Sequence, residues 1–309
     1  MPVNALHAIE LTAVDKCYDK AVVVDSIDLQ VLRGECFVLV GHNGAGKTTL
    51  MKLMLGLARP SAGQVMVLGE DPASRSFVAR RQALGYLPES VSFYPHMTGM
   101  ELLSYYARLK GIPHAEVGRR LQQVGLHEAA TRRLNTYSKG MRQRLGLAQA
   151  ILGTPDLLFL DEPTTGLDPL LRRDFYQIIG DLRSRGTTVV ISSHALNEIE
   201  ARADRIAVIK QGKLMACGSL SDLGRQVSLP VRTRLSVISG SAERIARQIA
   251  AHTQVDSVDN DTINLLCPED QKMSLLRHIT DLGDVVLDVN MAAPRLDEIY
   301  LHFMSTEQP

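Results

Sequence analysis

The sequence lacks tryptophan, and aromatic residues make up only 5% of its 309 positions. Platforms that stack single-stranded nucleic acid are therefore not expected, because aromatic rings build them. The chain also lacks an excess of either charge, since Lys and Arg number 34 and Asp and Glu number 34. Proteins that bind nucleic acid usually present a basic face, so this balance predicts no nucleic-acid partner.

Cysteines and long apolar runs are also scarce. The four cysteines, Cys17, Cys36, Cys217 and Cys267, form no CxxC pair, which is typical of buried or idle thiols in a reducing compartment. No apolar run reaches the roughly 18 residues of a membrane span. Residues 1–10 lack the charged and apolar regions of a signal peptide. We therefore expect a cytoplasmic chain that serves any membrane process from outside the bilayer.

Strand and helix patterns alternate through the first two thirds of the chain, which predicts an α/β fold with a mostly parallel sheet covered on both faces. The stretch at about 90–150 is mostly helical in pattern. The expected strands are 9–14, 22–31, 36–40, 157–160 and 187–192. The expected helices are 47–57, 101–109, 116–124, 170–185 and 197–203.

The character of the sequence changes after about residue 220. Ser228-Leu229-Pro230 is typical of a linker, so we predict one domain at 1–227 and a second at 228–309. The second domain shows the order βαββαβ and then a last helix, which predicts a small ferredoxin-like α+β domain. Its expected strands are 234–237, 255–258, 262–266 and 285–290, and its expected helices are 242–251, 269–282 and 295–303. It carries no catalytic motif.

A glycine-rich turn separates the apolar strand at 36–40 from the helix that follows. It matches GxxxxGK followed by Ser or Thr, a loop whose glycines let backbone N–H groups close around phosphate oxygens. The start of the helix adds a positive end. Lys47 can reach the β- and γ-phosphates, and Thr48 can offer its hydroxyl to Mg²⁺. We therefore predict a P-loop NTPase that binds ATP and Mg²⁺. Its expected phosphate-binding residues are Gly41, His42, Asn43, Gly44, Ala45, Gly46, Lys47, Thr48 and Thr49.

Two adjacent carboxylates follow the apolar strand at 157–160. Asp161 can hold hydrated Mg²⁺ at the end of the strand. Glu162 can accept a proton from the attacking water, which makes it the predicted general base. Two adjacent acidic residues after a strand can also be no more than its solvent-exposed end. The phosphate loop upstream favours the functional interpretation.

Over roughly residues 5–220 the chain resembles the nucleotide-binding subunit of an ABC transporter. Residues 137–143 stand where that family has its LSGGQ signature, and Ser138 and Gly140 keep its serine and second glycine. Lys139 and Met141 depart from the signature. Residues 166–168, Gly-Leu-Asp, match the family's D-loop. The resemblance implies the ABC ATPase fold, with a mixed sheet core and a helical subdomain at about 90–150.

The resemblance also assigns roles to three further residues. His194 follows the strand at 187–192 and corresponds to the family's switch histidine. Tyr18 stands where the family stacks an aromatic ring on adenine, although by itself it is also a plausible turn residue. Glu89 stands in the Q-loop where glutamine is usual, and we expect it to help order Mg²⁺ or water.

In this family two copies enclose two ATP molecules, so that the phosphate loop of one copy faces the signature of the other. The resemblance therefore implies a homodimer on the inner face of the cell membrane that is bound to integral permease subunits. The segment before the signature would dock the permease. Four aromatic residues either line that groove or pack inside the helical subdomain. They are Phe93, Tyr94, Tyr105 and Tyr106.

The phosphate loop, Q-loop and signature, with residues 295–300, are most similar to one subgroup. It is the ATPase of the transporter that matures the copper centres of nitrous-oxide reductase, which also works with a periplasmic partner. The sequence itself has no copper-site pattern. Three alternatives stay open: the ATPase of another ABC-2 type exporter, an ATPase that acts on ribosomes or nucleic acid, and an ATP sensor without turnover.

Overall fold

The computed structural model describes residues 6–305, which form two compact units that divide between Cys217 and Gly218. The expectation that residues 1–10 hold no signal peptide concerns a segment whose first five residues lie outside this range. Among the described helices, none combines the length and the apolar character that a membrane crossing requires.

The first unit contains nine strands and seven α-helices within the described range. The strands are β1 (His7–Tyr18), β2 (Ala21–Leu32), β3 (Cys36–Val40), β4 (Ala62–Val67), β5 (Leu84–Leu87), β6 (Leu157–Asp161), β7 (Thr188–Ser193), β8 (Arg205–Lys210) and β9 (Lys213–Gly218). The helices are α1 (Lys47–Met54), α2 (Phe77–Arg80), α3 (Gly99–Leu109), α4 (Ala115–Gln123), α5 (Lys139–Ala150), α6 (Pro169–Ser184) and α7 (Leu196–Ile199).

A six-stranded sheet with the order β5-β6-β7-β3-β8-β9 forms the centre of this unit. The neighbours from β5 to β8 pair in parallel. Every residue of β3, β6 and β7 is buried, as expected for parallel strands covered on both faces. The register sets Asp161 beside Ser192, and Val40 beside Ser193. The carboxyl ends of three adjacent strands therefore meet at one edge, where the site lies.

A second sheet is antiparallel, with the order β2-β1-β4. One apolar core joins it to the central sheet and to α1, and Leu50 and Met51 of α1 pack there with Phe37 and Phe159. All four side chains are essentially excluded from solvent. Helix α1 is thereby held between the two sheets, and its first residue, Lys47, is fixed at the sheet edge.

Helices α3, α4 and α5 lie within the predicted helical subdomain. Thr98 and Glu101 form a reciprocal capping box at the start of α3. After the last turn of α3, Lys110 Nζ donates to the carbonyl oxygens of Leu84, at 3.0 Å, and Leu152, at 3.3 Å. Burial lowers the pKa of Lys110. These bonds tie the end of α3 to the beginning of β5.

The second unit is a four-stranded antiparallel sheet with the order β11-β12-β10-β13. Its elements are α8 (Leu220–Gln226), β10 (Val231–Val237), α9 (Ala242–Ile249), β11 (Gln254–Val258), β12 (Thr262–Cys267), α10 (Lys272–Asp281), β13 (Val286–Ala292) and α11 (Leu296–Ser305). The order βαββαβ is the one predicted. Apolar residues of α9 and α10 pack with the sheet in one core that includes Leu235, Ile245 and Leu275.

Several sequence-based expectations differ from the structure. The division of the units precedes the predicted boundary at 227/228, because α8 packs against α11 and belongs to the second unit. The helix expected at 197–203 is only the short α7. Helices α2 and α8 and strands β4, β5, β8 and β9 were not predicted. Gln211 and Gly212, between β8 and β9, both have positive φ, which is typical of a tight hairpin turn.

Candidate active site

A cavity of about 250 Å³ lies where the loop after β3 enters α1. The loop supplies most of its lining, and three residues from elsewhere in the unit complete it. The lining residues are Val23, His42, Asn43, Gly44, Ala45, Gly46, Lys47, Thr48, Thr49, Glu89 and Glu162. All the predicted phosphate-binding residues except Gly41 therefore face this one space.

Two glycines are required by the close approach of other backbone segments to the loop. Gly46 has a φ of 107°, and a Cβ on it would lie 2.7 Å from the carbonyl oxygen of Val23. A Cβ on Gly41 would lie 2.5 Å from the carbonyl oxygen of Ile209. Real Cβ atoms do not approach backbone oxygens so closely, so a side chain at either position would displace the loop.

Lys47 lies at the inner end of the cavity and is almost completely buried. Its Nζ donates to the carbonyl oxygen of Gly41 at 2.6 Å and to that of His42 at 3.2 Å. The same nitrogen lies 3.7 Å from Glu162 Oε1. A buried ammonium group held by short contacts at the first turn of a helix is well placed to bind phosphate oxygens.

Hydroxyl groups fix both oxygens of the Asp161 carboxylate. Thr48 Oγ1 donates to Asp161 Oδ2 at 2.9 Å, and Ser192 Oγ donates to Asp161 Oδ1 at 2.5 Å. Asp161 is almost wholly buried at the end of β6. The carboxylate and the Thr48 hydroxyl therefore lie together beside the phosphate loop.

Glu162 adopts a left-handed backbone conformation, with a φ of 46°. Its N–H donates to both oxygens of Ser192, at 3.2 Å to the carbonyl and 3.1 Å to the hydroxyl. One carboxylate oxygen, Oε2, lies 2.7 Å from His194 Nδ1. The other, Oε1, is buried and has no hydrogen-bond partner among the described residues. Glu162 lines the cavity, so Oε1, which Lys47 Nζ approaches to 3.7 Å, is an acceptor that can take a proton from a water molecule.

The donor set fits Mg²⁺, which prefers oxygen ligands and usually keeps several waters and substrate phosphate oxygens in its shell. Asp161 supplies a carboxylate and Thr48 a hydroxyl, and Glu89 lines the same cavity. Among residues 6–305, no cluster of three or more His, Cys, Asp or Glu side chains could hold a metal on its own.

Tyr86 in β5 lies behind the carboxylates. Burial first, and then the negative charge of Asp161, raise the pKa of Tyr86 to about 12. The phenol therefore stays protonated and neutral near pH 7.

Six predicted site residues are not among those that line the cavity. Gly41, Asp161 and His194 contact lining residues through the bonds described above, whereas Tyr18, Ser138 and Gly140 do not. Tyr18, at the end of β1, is 46% exposed, and Lys16 Nζ lies 4.6 Å from its ring centroid. Ser138 is the N-cap of α5 and accepts from the N–H of Met141 at 3.2 Å. Gly140 lies in the first turn of α5. The structure therefore does not bring the signature serine and glycine to the phosphate loop of the same chain.

The signature helix instead holds the loop that follows Glu162. Gln143 Nε2 donates to the carbonyl oxygen of Pro163 at 3.0 Å. A Cβ on Gly166 would lie 3.0 Å from Lys139 Nζ, so the lysine that departs from the family signature lies against the predicted D-loop. Arg172 Nη2 donates to the carbonyl oxygen of Leu167 at 3.0 Å. The predicted D-loop is thus fixed from two sides.

Sequence reasoning missed two residues of the site, Val23 and Ser192. Val23 lines the cavity from β2, and no sequence signal distinguishes it from the other valines of that strand. Ser192 was predictable in principle, because it is a polar residue near the end of an apolar strand whose neighbours carry the phosphate loop and Asp161.

Comparisons with known proteins show which family the chain is similar to. The family model described as ABC transporter matches residues 24–165. The daunorubicin/doxorubicin resistance ATP-binding protein DrrA of Streptomyces peucetius is 36% identical, over 97% of this chain and 93% of that protein. The Nod factor export ATP-binding protein I of Cupriavidus pinatubonensis is 40% identical, over 72% of this chain and 70% of that protein.

Among solved structures, a dimeric bacterial ABC transporter cassette superposes with a TM-score of 0.65. The match covers 69% of this chain and 98% of the cassette at 23% identity, so it shows the shared fold alone.

Proposed function

Because the chain belongs to the ABC transporter family, as an ATP-hydrolysing subunit, we propose that two copies of it drive an ABC-2 type exporter. The likeness to the resistance protein DrrA spans nearly the whole chain, so both units take part in it. The export of Nod factor, in the name of a second relative, also favours an exporter. The cargo is set by the membrane subunit, because the ATP site carries no group that would recognise one.

The observation that carries the hydrolytic assignment is the carboxylate of Glu162. One of its oxygens contacts His194. The other is buried, has no hydrogen-bond partner among the described residues and lies 3.7 Å from Lys47 Nζ. We assign Glu162 as the general base that takes a proton from the attacking water. His194 orients this carboxylate, and Lys47 neutralises charge on the β- and γ-phosphates.

Asp161, Thr48 and Glu89 are the residues that would hold Mg²⁺. When bound, this ion neutralises charge on the phosphate oxygens and orients them for attack. The other loop residues, from Gly41 to Thr49, bind the phosphates through backbone N–H groups. Tyr18 is half exposed at the end of β1, where a purine ring could stack on its open face.

The dimer follows from the position of the signature in this chain. Ser138 caps the first turn of α5, where the positive end of a twelve-residue helix points outward. Because this end does not reach its own phosphate loop, we propose that Ser138 and Gly140 bind the γ-phosphate held by a second copy. The dimeric state of a cassette with the same fold supports this arrangement. Hydrolysis removes the bridging phosphate, so the two copies then separate.

The permease would dock on the helical subdomain from the inner face of the cell membrane. Tyr94 and Tyr105 are 68% and 48% exposed, whereas Phe93 and Tyr106 are partly buried. We therefore assign the first pair to the permease contact and the second pair to internal packing. Tyr105, of the exposed pair, makes an edge-to-face contact with Tyr106, of the packed pair, and their ring centroids lie 5.6 Å apart.

The hydrolytic assignment is tested with Glu162→Gln, which keeps the shape of the side chain and removes its basicity. We expect turnover to fall by about 100-fold or more, a large effect for a general base, while ATP affinity is kept and an ATP-bound dimer accumulates. Steady-state phosphate release and size-exclusion chromatography with ATP measure both. Glu200→Gln is the matched control. Unchanged turnover in Glu162→Gln would show that Glu162 is not the general base, whereas a wild-type protein that binds ATP without turnover would be an ATP sensor.

A finer proposal concerns the cargo. The motifs at the phosphate loop, Q-loop and signature, with the pattern at 295–300, support the subgroup that matures the copper centres of nitrous-oxide reductase. In this proposal the permease works with a periplasmic partner, and other subunits handle copper or sulfur. Purification of the intact complex, with identification of the permease by mass spectrometry, decides between this subgroup and a drug exporter.

A further inference from the structure

Ser192 is a completely buried serine near the end of β7. Neighbouring residues of the strand, from Val189 to Ile191, are apolar and buried as well. A buried hydroxyl is costly unless its hydrogen bonds are made. The Ser192 hydroxyl makes two hydrogen bonds, one with Asp161 and one with Glu162, the two carboxylate residues of the site.

The hydroxyl has one proton to donate and lone pairs to accept with. It donates to Asp161 Oδ1 at 2.5 Å and accepts the N–H of Glu162 at 3.1 Å. The parallel register of β6 and β7 makes both contacts possible, because it places Ser192 directly beside Asp161.

The two contacts restrain different parts of the site. The bond to Asp161 leaves Oδ2 as the oxygen that meets the Thr48 hydroxyl, so the carboxylate plane is fixed by one hydroxyl at each end. The bond to Glu162 supports a residue whose backbone has a φ of 46°, a conformation that residues other than glycine rarely adopt. The main-chain oxygen of Ser192 shares this N–H at 3.2 Å.

We propose that Ser192 is a positioning residue for the ATPase reaction. Its hydroxyl fixes the orientation of the Asp161 carboxylate, which would bind the divalent cation, and holds the backbone of Glu162 next to it. This inference rests on the proposed roles of Asp161 and Glu162. The hydroxyl does not touch substrate. It acts through Asp161, so its loss weakens cation binding and turnover more than it weakens nucleotide binding.

The test uses the full-length protein and Ser192→Ala. Free Mn²⁺ is measured by electron paramagnetic resonance in the presence of a non-hydrolysable ATP analogue, which gives cation affinity without turnover. Loss of an outer-shell partner of a metal ligand typically costs about 10- to 100-fold in metal affinity or activity. We expect that loss in Mn²⁺ affinity and in kcat, with ATP affinity in the presence of EDTA unchanged within about twofold.

Thr188→Val is the matched control, because Thr188 is a buried hydroxyl residue of the same strand whose Oγ1 accepts the N–H of Gly34, away from the carboxylates. Ser192→Cys keeps nearly the same volume and replaces the hydroxyl with a weak donor, so it tests the bond if the alanine variant unfolds. We expect it to lose Mn²⁺ affinity while its thermal unfolding midpoint stays near that of the wild type.

The inference is overturned if Mn²⁺ affinity and kcat of a folded Ser192 variant match those of the wild type, or fall no further than those of Thr188→Val. Parallel assays of Glu162→Gln separate this result from a failure of the proposed function. If Glu162→Gln keeps turnover and Ser192→Ala still loses Mn²⁺ affinity, the general base is wrongly assigned and the positioning of Asp161 stands.

Discussion

The two units of the chain differ in what they bury. The first unit encloses charged side chains at the edge of its sheet, including Lys47, Asp161 and Glu162. In the second unit, the only buried polar residues among those described are the neutral Thr233 and Thr262. Burial of charge is costly unless the charge is paired. At this sheet edge the first unit therefore bears a cost that its proposed chemistry explains, whereas the described part of the second unit buries no charged side chain.

This contrast predicts that a change of charge in the first unit removes activity without removing the fold. The largest effect is expected for Lys47→Ala. Removal of a group that neutralises developing charge costs about 100- to 1,000-fold in rate, and Lys47 also contributes to phosphate binding. ATP hydrolysis and ATP affinity, measured by phosphate release and calorimetry, should both collapse. Lys52→Ala, on the same helix, is the control. A Lys47 variant with normal affinity and turnover would contradict the assignment.

The opposite result is expected from a cavity in the second unit. Leu235 is fully buried in its core, and Leu→Ala at such a site destabilises by about 2–5 kcal/mol. Leu287 is 67% exposed, so Leu287→Ala should change stability by less than about 0.5 kcal/mol. Urea unfolding followed by circular dichroism measures both variants. A folded Leu235→Ala variant with reduced ATP affinity would contradict this contrast, because it would show that the core of the second unit affects the ATP site.

A smaller effect is expected when residues 218–309 are removed. The phosphate loop and both carboxylates remain, so ATP affinity of the isolated copy should not change. The second unit presents large apolar side chains to solvent, among them Met273, Leu287 and Leu301. We expect them to add dimer contacts, so the deletion should weaken ATP-driven dimerisation by about tenfold, or about 1.4 kcal/mol. Analytical ultracentrifugation with ATP checks this, and equal dimerisation would refute the contact.

The smallest effect concerns pH. Hydrogen bonds from the Ser219 hydroxyl and backbone N–H, and then from Arg225, lower the pKa of Asp222 from 3.8 to about 2. A carboxyl whose folded pKa is depressed stabilises the fold above its unfolded pKa, and this contribution disappears as pH falls from about 4 to about 2. The unfolding midpoints of wild type and Asp222→Asn should therefore differ slightly at pH 6 and converge near pH 2. A difference that stays constant with pH would contradict this contribution of the Asp222 carboxylate to stability.

The central strands were predictable because each carries one unbroken apolar run. Strand β3 was predicted with its observed bounds, and Asp161 and the phosphate loop were predicted at strand ends. Strand β8 was missed although residues 206–209, Ile-Ala-Val-Ile, form a buried apolar run as long as that of β6. Helix α1 ends at Met54, three residues before the predicted end, because Gly56 takes a φ of 68°.

The geometry of the site was less accessible from sequence. The motif identified Glu162, but nothing in the local sequence indicates its left-handed backbone or the bond from its N–H to Ser192. Both depend on the register between two strands that lie about thirty residues apart in the chain. Long-range pairing of this kind is set by the whole sheet, so a residue-by-residue pattern does not contain it.

At Glu162 the backbone conformation favours glycine, whereas the proposed chemistry requires a carboxylate. A left-handed residue with a Cβ costs about 1–2 kcal/mol, whereas glycine adopts the same φ freely. Selection for thermostability alone would therefore favour Glu162→Gly, a substitution that removes the proposed base. Libraries for a more thermostable variant should therefore exclude this position, because the stability gained there would remove ATP hydrolysis.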